Sequence, residues 1–146
     1  MINGNSIRLD FRSAFDILDF VQVVSDYLGR RAGLDEDALH WVGVAVRESV
    51  INAIEHGNGN DEAKRVFVEF SAIDGDSGGI AIRIRDEGPG FDPATLPDPL
   101  APENLLKSNH RGIFLIRTFM DEMTSQRAAE GGMEMVMVKR VQPPTL

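Results

Sequence analysis

The stretch Ile84 to Pro93 reads I-R-D-E-G-P-G-F-D-P and decides how this chain is interpreted. It continues an alternating segment, Ile80 to Arg85, in which an isoleucine at every second position predicts a strand with one buried face. The strand would fix the carboxylate of Asp86 at its end. Gly88 and Gly90 then remove side chains, so that the backbone and a ligand can approach each other closely. Glycine turns after strands are common, so this segment alone predicts only a turn.

A predicted helix upstream, Leu39 to His56, carries two polar residues in a pattern that complements this turn. Glu48 and Asn52 are four residues apart and therefore lie on one face of the helix. The opposite face is apolar and should pack against a sheet; its residues are Val42, Val46, Val50 and Ala53. The helix stops in residues 56–60, H-G-N-G-N, which are typical of a left-handed C-cap. The polar face therefore ends beside a loop.

Three segments together resemble the motifs of the Bergerat-type ATPases, a family that includes histidine-kinase catalytic domains and gyrase-type ATPases. Residues 48–57, E-S-V-I-N-A-I-E-H-G, resemble its N-box, and residues 86–91, D-E-G-P-G-F, resemble its first glycine box. Residues 111–123, R-G-I-F-L-I-R-T-F-M-D-E-M, resemble the second glycine box followed by the tail of the small anti-sigma-factor serine kinases. The three motifs stand in the family's order, and their combination is far more specific than any one of them.

The order of the predicted elements favours an α+β fold. Strands are predicted at Ser6–Phe11, Ala63–Ile73, Ile80–Arg85, Glu122–Arg127 and Met133–Val141, and helices from Ser13 or Asp16 to about Gly29, from Asp35 or Asp37 to His56, and from Gly112 to Met120. This order predicts a two-layer α/β sandwich, in which a mixed and mostly antiparallel sheet carries helices on one face. The resemblance implies that this is the Bergerat ATP-binding fold, with residues 1–146 as one domain and an ATP lid at about residues 91–111.

Composition narrows the class of protein further. The 146 residues suffice for one domain with a single core, and 42% hydrophobic and 26% charged residues are ordinary for a globular protein. A net charge of -8 argues against direct binding of nucleic acid, which requires a basic surface. The absence of cysteine excludes disulfides and fits a reducing cytoplasm. Neither a signal peptide nor an apolar run of about 20 residues is visible, so we expect a cytoplasmic protein without a membrane contact.

The resemblance also implies roles for residues of the predicted helix and strand, with ATP and Mg²⁺ as cofactors. Glu48 would act as the general base that takes a proton from the attacking hydroxyl during in-line attack on the γ-phosphate. Asn52 would offer its amide oxygen to Mg²⁺, which prefers hard oxygen ligands. Asp86 would accept a hydrogen bond from the adenine amino group. Guanine has a carbonyl at that edge, so an ionised Asp86 would face another acceptor and discriminate against it.

The remaining predicted binding residues belong to the two glycine boxes. Gly88 and Gly90 would be required by the backbone geometry near the nucleotide. Arg111 and Gly112 stand where the lid should pass into a helix, and backbone N–H groups at a helix start form a site for the β- and γ-phosphates. The family usually has Gly-x-Gly here. This chain instead has His110 in the place of the first glycine.

We therefore expect an anti-sigma regulatory factor with ATP-dependent serine/threonine protein kinase activity. Its expected partners are a sigma factor and an anti-sigma-factor antagonist of the STAS type, and a homodimer is expected through the first helix or the edge of the sheet. The alternative is an ATP-binding partner-switching module that transfers no phosphate, which the altered second glycine box suggests. An ATP-hydrolysing dimer, as in the larger members of the family, is the weakest of the three hypotheses because those proteins carry additional domains.

Overall fold

The computed structural model describes residues 2–73, 78–89 and 116–141. The strands are β1 (Ile2–Arg12), β2 (Arg65–Ile73), β3 (Gly79–Arg85), β4 (Glu122–Arg127) and β5 (Met133–Arg140). The helices are α1 (Leu18–Ala32), preceded by a 3-10 turn (Phe15–Ile17), and α2 (Glu36–Asn52), continued by a π-helical turn (Ala53–Gly57). Residues 116–119 are also helical. All five predicted strands are present, with ends that differ from the prediction by a few residues.

The strands form one sheet in the order β1-β2-β3-β5-β4, which places β3 at its centre. A mixed and mostly antiparallel sheet was predicted, and every strand pair in the described part of the chain is antiparallel. The register places Phe70 opposite Ile82, and Ile82 opposite Met137. These three side chains are all buried and form the centre of the core. The predicted α+β two-layer fold is confirmed.

The two long helices cover the apolar face of this sheet. Helix α1 packs on β2 and β3, and α2 packs on β3 and β5. The face of α2 that was predicted to be apolar is buried throughout; its members are Val42, Val46, Val50 and Ala53. Exposing this apolar face to water would cost free energy. Its burial against the sheet therefore stabilises the position of α2. Within the described ranges, no helix combines the length and apolarity needed to cross a bilayer.

The ends of the helices follow from their capping residues. Asp35, one of the two residues predicted to cap α2, is the N-cap, and its Oδ1 accepts a hydrogen bond from the backbone N–H of Ala38 at 2.8 Å. Helix α1 ends at Gly33, which has a left-handed φ of 95°. The predicted helix continued regularly to His56. Instead, α2 changes after Asn52 into the π-helical turn, a feature that is frequent at functional sites.

Candidate functional site

Asp86 follows directly after β3, and the backbone around it fixes its carboxylate. The residue is only 6% exposed. Its Oδ1 accepts hydrogen bonds from the backbone N–H groups of Gly88 at 2.9 Å and Met133 at 3.1 Å. The Asp86 N–H in turn donates to the carbonyl oxygen of Met133 at 3.0 Å. Two backbone N–H groups thus hold the carboxylate, and a third bond fixes the Asp86 backbone to Met133, so the strand delivers the side chain in one orientation, as the sequence predicted.

Three glycines enclose Asp86, and each is required by a close approach of the backbone. A Cβ on Gly57 would overlap Asp86 Oδ2, and a Cβ on Gly132 would overlap the Asp86 carbonyl oxygen. A Cβ on Gly88 would overlap the carbonyl oxygen of Gly57. The end of the N-box segment is thus packed directly against the first glycine box. The sequence placed Gly57 at the end of the N-box and Gly132 in a turn between two strands, and nothing local in the sequence shows that both touch Asp86.

Glu48 and Asn52 lie one turn apart on α2, as predicted, and both are partly exposed. The Nδ2 atom of Asn52 is buried, and no described residue accepts a hydrogen bond from it. An unpaired buried donor costs roughly 1–3 kcal/mol, so a residue in this state is suited to a ligand that completes its bonding. No hydrogen bond or ion pair of Glu48 is formed within the described residues either. Among the residues that the structure describes, neither the Asn52 amide nitrogen nor the Glu48 carboxylate is used by another side chain, which suits both to a bound molecule.

This donor set fits a nucleotide with a magnesium ion. The amide oxygen of Asn52 is a hard, neutral ligand of the kind that Mg²⁺ combines with phosphate oxygens and water. The amide nitrogen that lacks a partner can donate to a phosphate oxygen at the same place. The fixed carboxylate of Asp86 lies beside the contact between Gly57 and Gly88. It can accept a hydrogen bond from an amino group on a purine.

Asn58 is a buried polar residue that sequence reasoning did not assign to the site. It follows the π-helical turn, is 2% exposed, and bonds to the turn that follows Asp86. In the sequence it stands in H-G-N-G-N, residues 56–60, which predicted only the end of a helix. An Asn between two glycines gives no local sign that its side chain points inward, so this role depends on tertiary contacts.

The other predicted binding residues, Gly90, Arg111 and Gly112, lie outside the described residues, as do His110 and the lid at about residues 91–111. Their roles remain predictions. The described part resumes with helical residues 116–119, whose end is held against α2. There the ring of Phe119 stacks on Trp41 with centroids 3.6 Å apart, and Lys139 Nζ donates to the Phe119 carbonyl at 2.9 Å.

The fold and the site define a class of protein. A two-layer α+β fold, a helix carrying Glu48 and Asn52, and a buried Asp86 in a glycine turn are the arrangement that the motifs predicted. Residues 16–139 match the histidine kinase-like ATPase domain. The chain belongs to this family.

Relatives of known name give the resemblance more detail. The chain is 30% identical over 142 residues to an anti-sigma F factor of Clostridium perfringens, covering 94% of this chain and 97% of that protein. It is 28% identical over 142 residues to the serine-protein kinase RsbW of Staphylococcus epidermidis, covering 92% of this chain and 86% of that protein. It is 25% identical over 120 residues to the serine-protein kinase RsbW of Listeria innocua. The similarity thus extends over almost the whole domain.

Proposed function

We propose that this chain is an anti-sigma regulatory factor and an ATP-dependent serine/threonine protein kinase, which binds a sigma factor and phosphorylates an anti-sigma-factor antagonist of the STAS type. The observation that carries the proposal is the buried, backbone-fixed Asp86 in contact with the end of the helix that bears Glu48 and Asn52. The names of the relatives support the choice of reaction and of partner, because they align over most of their length.

ATP is selected at Asp86. The ionised carboxylate accepts a hydrogen bond from the adenine amino group, whereas guanine presents a carbonyl oxygen at that edge and leaves both acceptors unpaired. Asn52 holds Mg²⁺ through its amide oxygen; when bound, the ion neutralises charge on the phosphates. Gly88 and Gly90 keep the turn close to the nucleotide, while Arg111 and Gly112 supply charge and backbone N–H groups to the β- and γ-phosphates.

Phosphoryl transfer depends on Glu48. Its carboxylate accepts the proton of a serine or threonine hydroxyl on the antagonist while that oxygen forms a bond to the γ-phosphorus. The bond from the γ-phosphorus to the β,γ-bridging oxygen breaks in line, and ADP leaves. Phosphoryl transfer requires mainly positioning and charge stabilisation, so a base on a rigid helix one turn from Asn52 suits the reaction.

The transferred phosphate explains how partners would be exchanged. Phosphorylation adds about -1.5 to -2 charge to the antagonist. This chain carries a net charge of -8, so the phosphorylated product is repelled from it. Release of the antagonist leaves the kinase free to hold its sigma factor. The absence of cysteine is in keeping with action in the cytoplasm.

A homodimer is part of the proposal. Phe20, Val23 and Tyr27 lie at helical spacing on the outer face of α1 and are each more than half exposed. We call them the α1 stripe. Single exposed apolar residues are normal in monomers, but a contiguous stripe usually marks an interaction surface. A second copy of this chain is the occupant that we propose for it.

The proposal is tested by incubating the purified chain with labelled Mg²⁺-ATP and its cognate antagonist. We expect label on serine or threonine of the antagonist. Saturable ATP binding without any phosphoserine or phosphothreonine would instead favour the partner-switching module that transfers no phosphate. If calorimetry with magnesium detects no uptake of ATP, or equal uptake of GTP, both functions are excluded.

A further inference from the structure

We infer that Asn58 is a positioning residue for the nucleotide, because its side chain ties the end of the N-box segment to the turn that holds Asp86. The inference rests on the proposed function, since it concerns how the same site keeps its shape. It adds a residue that lies outside all three sequence motifs.

Every hydrogen-bonding group of the Asn58 side chain is used. Its Oδ1 accepts from the backbone N–H of Glu87 at 2.8 Å. Its Nδ2 donates to Ser13 Oγ at 2.6 Å and to the carbonyl oxygen of Arg65 at 2.9 Å. Two donors and one acceptor of this buried amide are all paired. Such an amide contributes more to stability than the sum of its separate bonds, because removing it leaves its partners unpaired inside the protein. Asn58 is therefore an interior residue, and its side chain forms a junction between separate segments of the chain.

The junction joins parts of the chain that are distant in sequence. Ser13 follows β1, and its hydroxyl donates to the Lys64 carbonyl at 2.9 Å. Arg65 begins β2, and its N–H donates to Glu87 Oε1 at 2.6 Å. The backbone of Asn58 is itself fixed to the π-helical turn by a bond of 2.8 Å from its N–H to the Ala53 carbonyl. Asn58 thus connects the π-helical turn after α2, the end of β1, the start of β2, and residue 87.

Residue 87 is the link between the two parts of the site that touch the nucleotide. Glu87 stands between Asp86 and Gly88. Gly88 packs on the carbonyl of Gly57, the last residue of the π-helical turn. If Asn58 no longer held the Glu87 N–H, that donor would be unpaired and the turn could move away from Gly57. Asp86 would then be displaced from its place relative to Asn52. We expect weaker binding of ATP and poorer rejection of GTP, with less effect on the transfer step itself.

Three variants separate positioning from general stability. Asn58→Ala removes all three side-chain bonds. Asn58→Asp keeps an acceptor for the Glu87 N–H but loses both donors, and it places a carboxylate oxygen near the Arg65 carbonyl. Ser13→Ala removes one of the three Asn58 bonds, together with the bond from Ser13 Oγ to the Lys64 carbonyl, but leaves the bond from Asn58 to Glu87; it is the matched control. For each folded variant we would measure the melting temperature, hydrogen exchange of the Glu87 amide, and the Kd for Mg²⁺-ATP and Mg²⁺-GTP well below the melting temperature.

We expect Asn58→Ala to lose protection of the Glu87 amide and to bind ATP about tenfold more weakly, with a reduced ATP over GTP preference. Ser13→Ala should keep the protection of the Glu87 amide and the affinity for ATP within about twofold of the wild type, even where its melting temperature falls. In Glu87 protection and in ATP affinity, Asn58→Asp should resemble Ser13→Ala more than Asn58→Ala, because it keeps an acceptor for the Glu87 N–H.

The inference is overturned if Asn58→Ala is folded and binds ATP like the wild type, or if affinity across the variants follows melting temperature and not Glu87 protection. Should Asn58→Ala fail to fold, Asn58→Asp decides: it overturns the inference if its Glu87 amide stays protected while its ATP affinity falls about tenfold, and it supports the inference if protection and affinity are both kept or both lost. A wild-type protein that binds no ATP would refute the proposed function itself, which is a different result from a wild type that binds and a variant that binds equally well.

Discussion

At the scale of single residues, the site separates side chains that are fixed from side chains that are free to react. Asp86 is buried and bonded to backbone, which suits a residue that reads a base and never changes partner. Glu48 is partly exposed and bonds to no described residue, which suits a base that must exchange a proton with an incoming hydroxyl. The difference in surroundings thus matches the difference in proposed role.

The first prediction concerns Glu48. Glu48→Gln should lower the rate of phosphoryl transfer at least about 100-fold, because a positioned general base typically contributes that much. ATP affinity should change little, since the carboxylate acts on the hydroxyl of the partner. Single-turnover transfer and calorimetry would measure the two quantities. Glu55→Gln, a substitution at an exposed residue of the π-helical turn, is the control and should transfer normally.

A contrast at Asn52 sharpens this prediction. Asn52→Ala should abolish Mg²⁺-ATP binding and with it the stabilisation that the ligand gives in thermal unfolding, because the ligand binds only the folded state. Transfer at a near-normal rate by Glu48→Gln would remove the base assignment. Unchanged ATP binding by Asn52→Ala would remove the assignment of the metal ligand.

The second prediction concerns Gly88. Gly88→Ala should destabilise the fold by about 1–3 kcal/mol, because its Cβ would overlap the Gly57 carbonyl oxygen and force the turn outward. Gly43→Ala is the control: the nearest atom to its Cβ outside the helix is Gln22 Nε2 at 3.9 Å, and alanine is a better helix former by roughly 0.5–1 kcal/mol. Urea unfolding would compare them. Equal stability of the two variants would contradict the packing of the two motifs.

At the scale of elements, the face of the sheet away from the helices carries charged pairs, and no second core lies on it within the described residues. Arg83 of β3 bonds to Glu134 of β5 and to Glu130 in the turn before it, and hydrogen bonding to Glu134 raises the pKa of Arg83. Arg85 lies over the ring of Phe67, with its guanidinium carbon 4.1 Å from the ring centroid. Long side chains of this kind cover the sheet while keeping it soluble.

The third prediction concerns Glu130 and pH. A hydrogen bond from its own backbone N–H, and then Arg83, lower the pKa of Glu130 below its usual 4.5. The folded pKa is thus below that of the unfolded chain, so ionised Glu130 stabilises the fold above about pH 4.5, and this contribution is lost as the pH falls through the folded value. Unfolding curves of wild type and Glu130→Gln should converge on acidification. Curves that stay parallel from pH 7 to pH 3 would contradict the prediction.

At the scale of the whole molecule, the arrangement leaves two surfaces with separate tasks. Asp86, the residue proposed to bind the base, follows the end of β3, whereas the α1 stripe lies on the outside of the helical layer. The stripe includes none of the residues proposed to bind the nucleotide. Association and nucleotide binding can therefore be tested independently.

The fourth prediction concerns association. We expect a dimer in sedimentation experiments at micromolar concentration, and we expect Phe20→Ser combined with Val23→Ser to produce a monomer that still binds ATP. The removal of exposed apolar surface should leave the fold intact, because both residues point away from the core. Phe15→Ser is the control, since Phe15 is similarly exposed but lies in the preceding 3-10 turn and off the stripe. A double variant that remains dimeric would exclude the stripe as the interface.

The sequence predicted the elements of this fold well where periodicity is strong. The alternating isoleucines of β3 and the apolar face of α2 were correctly placed, because each pattern has a single way to bury its apolar side. The π-helical turn was missed. Residues 53–57 carry no sequence pattern that distinguishes π-helical from α-helical winding, and the packing of Gly57 against Asp86 and Gly88 appears only in the tertiary structure.

By itself, the sequence predicted the fold class and the family, which are confirmed, and it singled out Glu48, Asn52 and Asp86 as candidate site residues, because each of these depends on local spacing or on a short motif. The tertiary structure alone decided that Gly57 and Gly132 enclose Asp86 and that Asn58 joins α2 to residue 87. The physical reason is that close approach and hydrogen bonding between distant segments depend on two segments at once. A sequence pattern describes a segment, while the packing of β3, β5 and the end of α2 determines which segments meet.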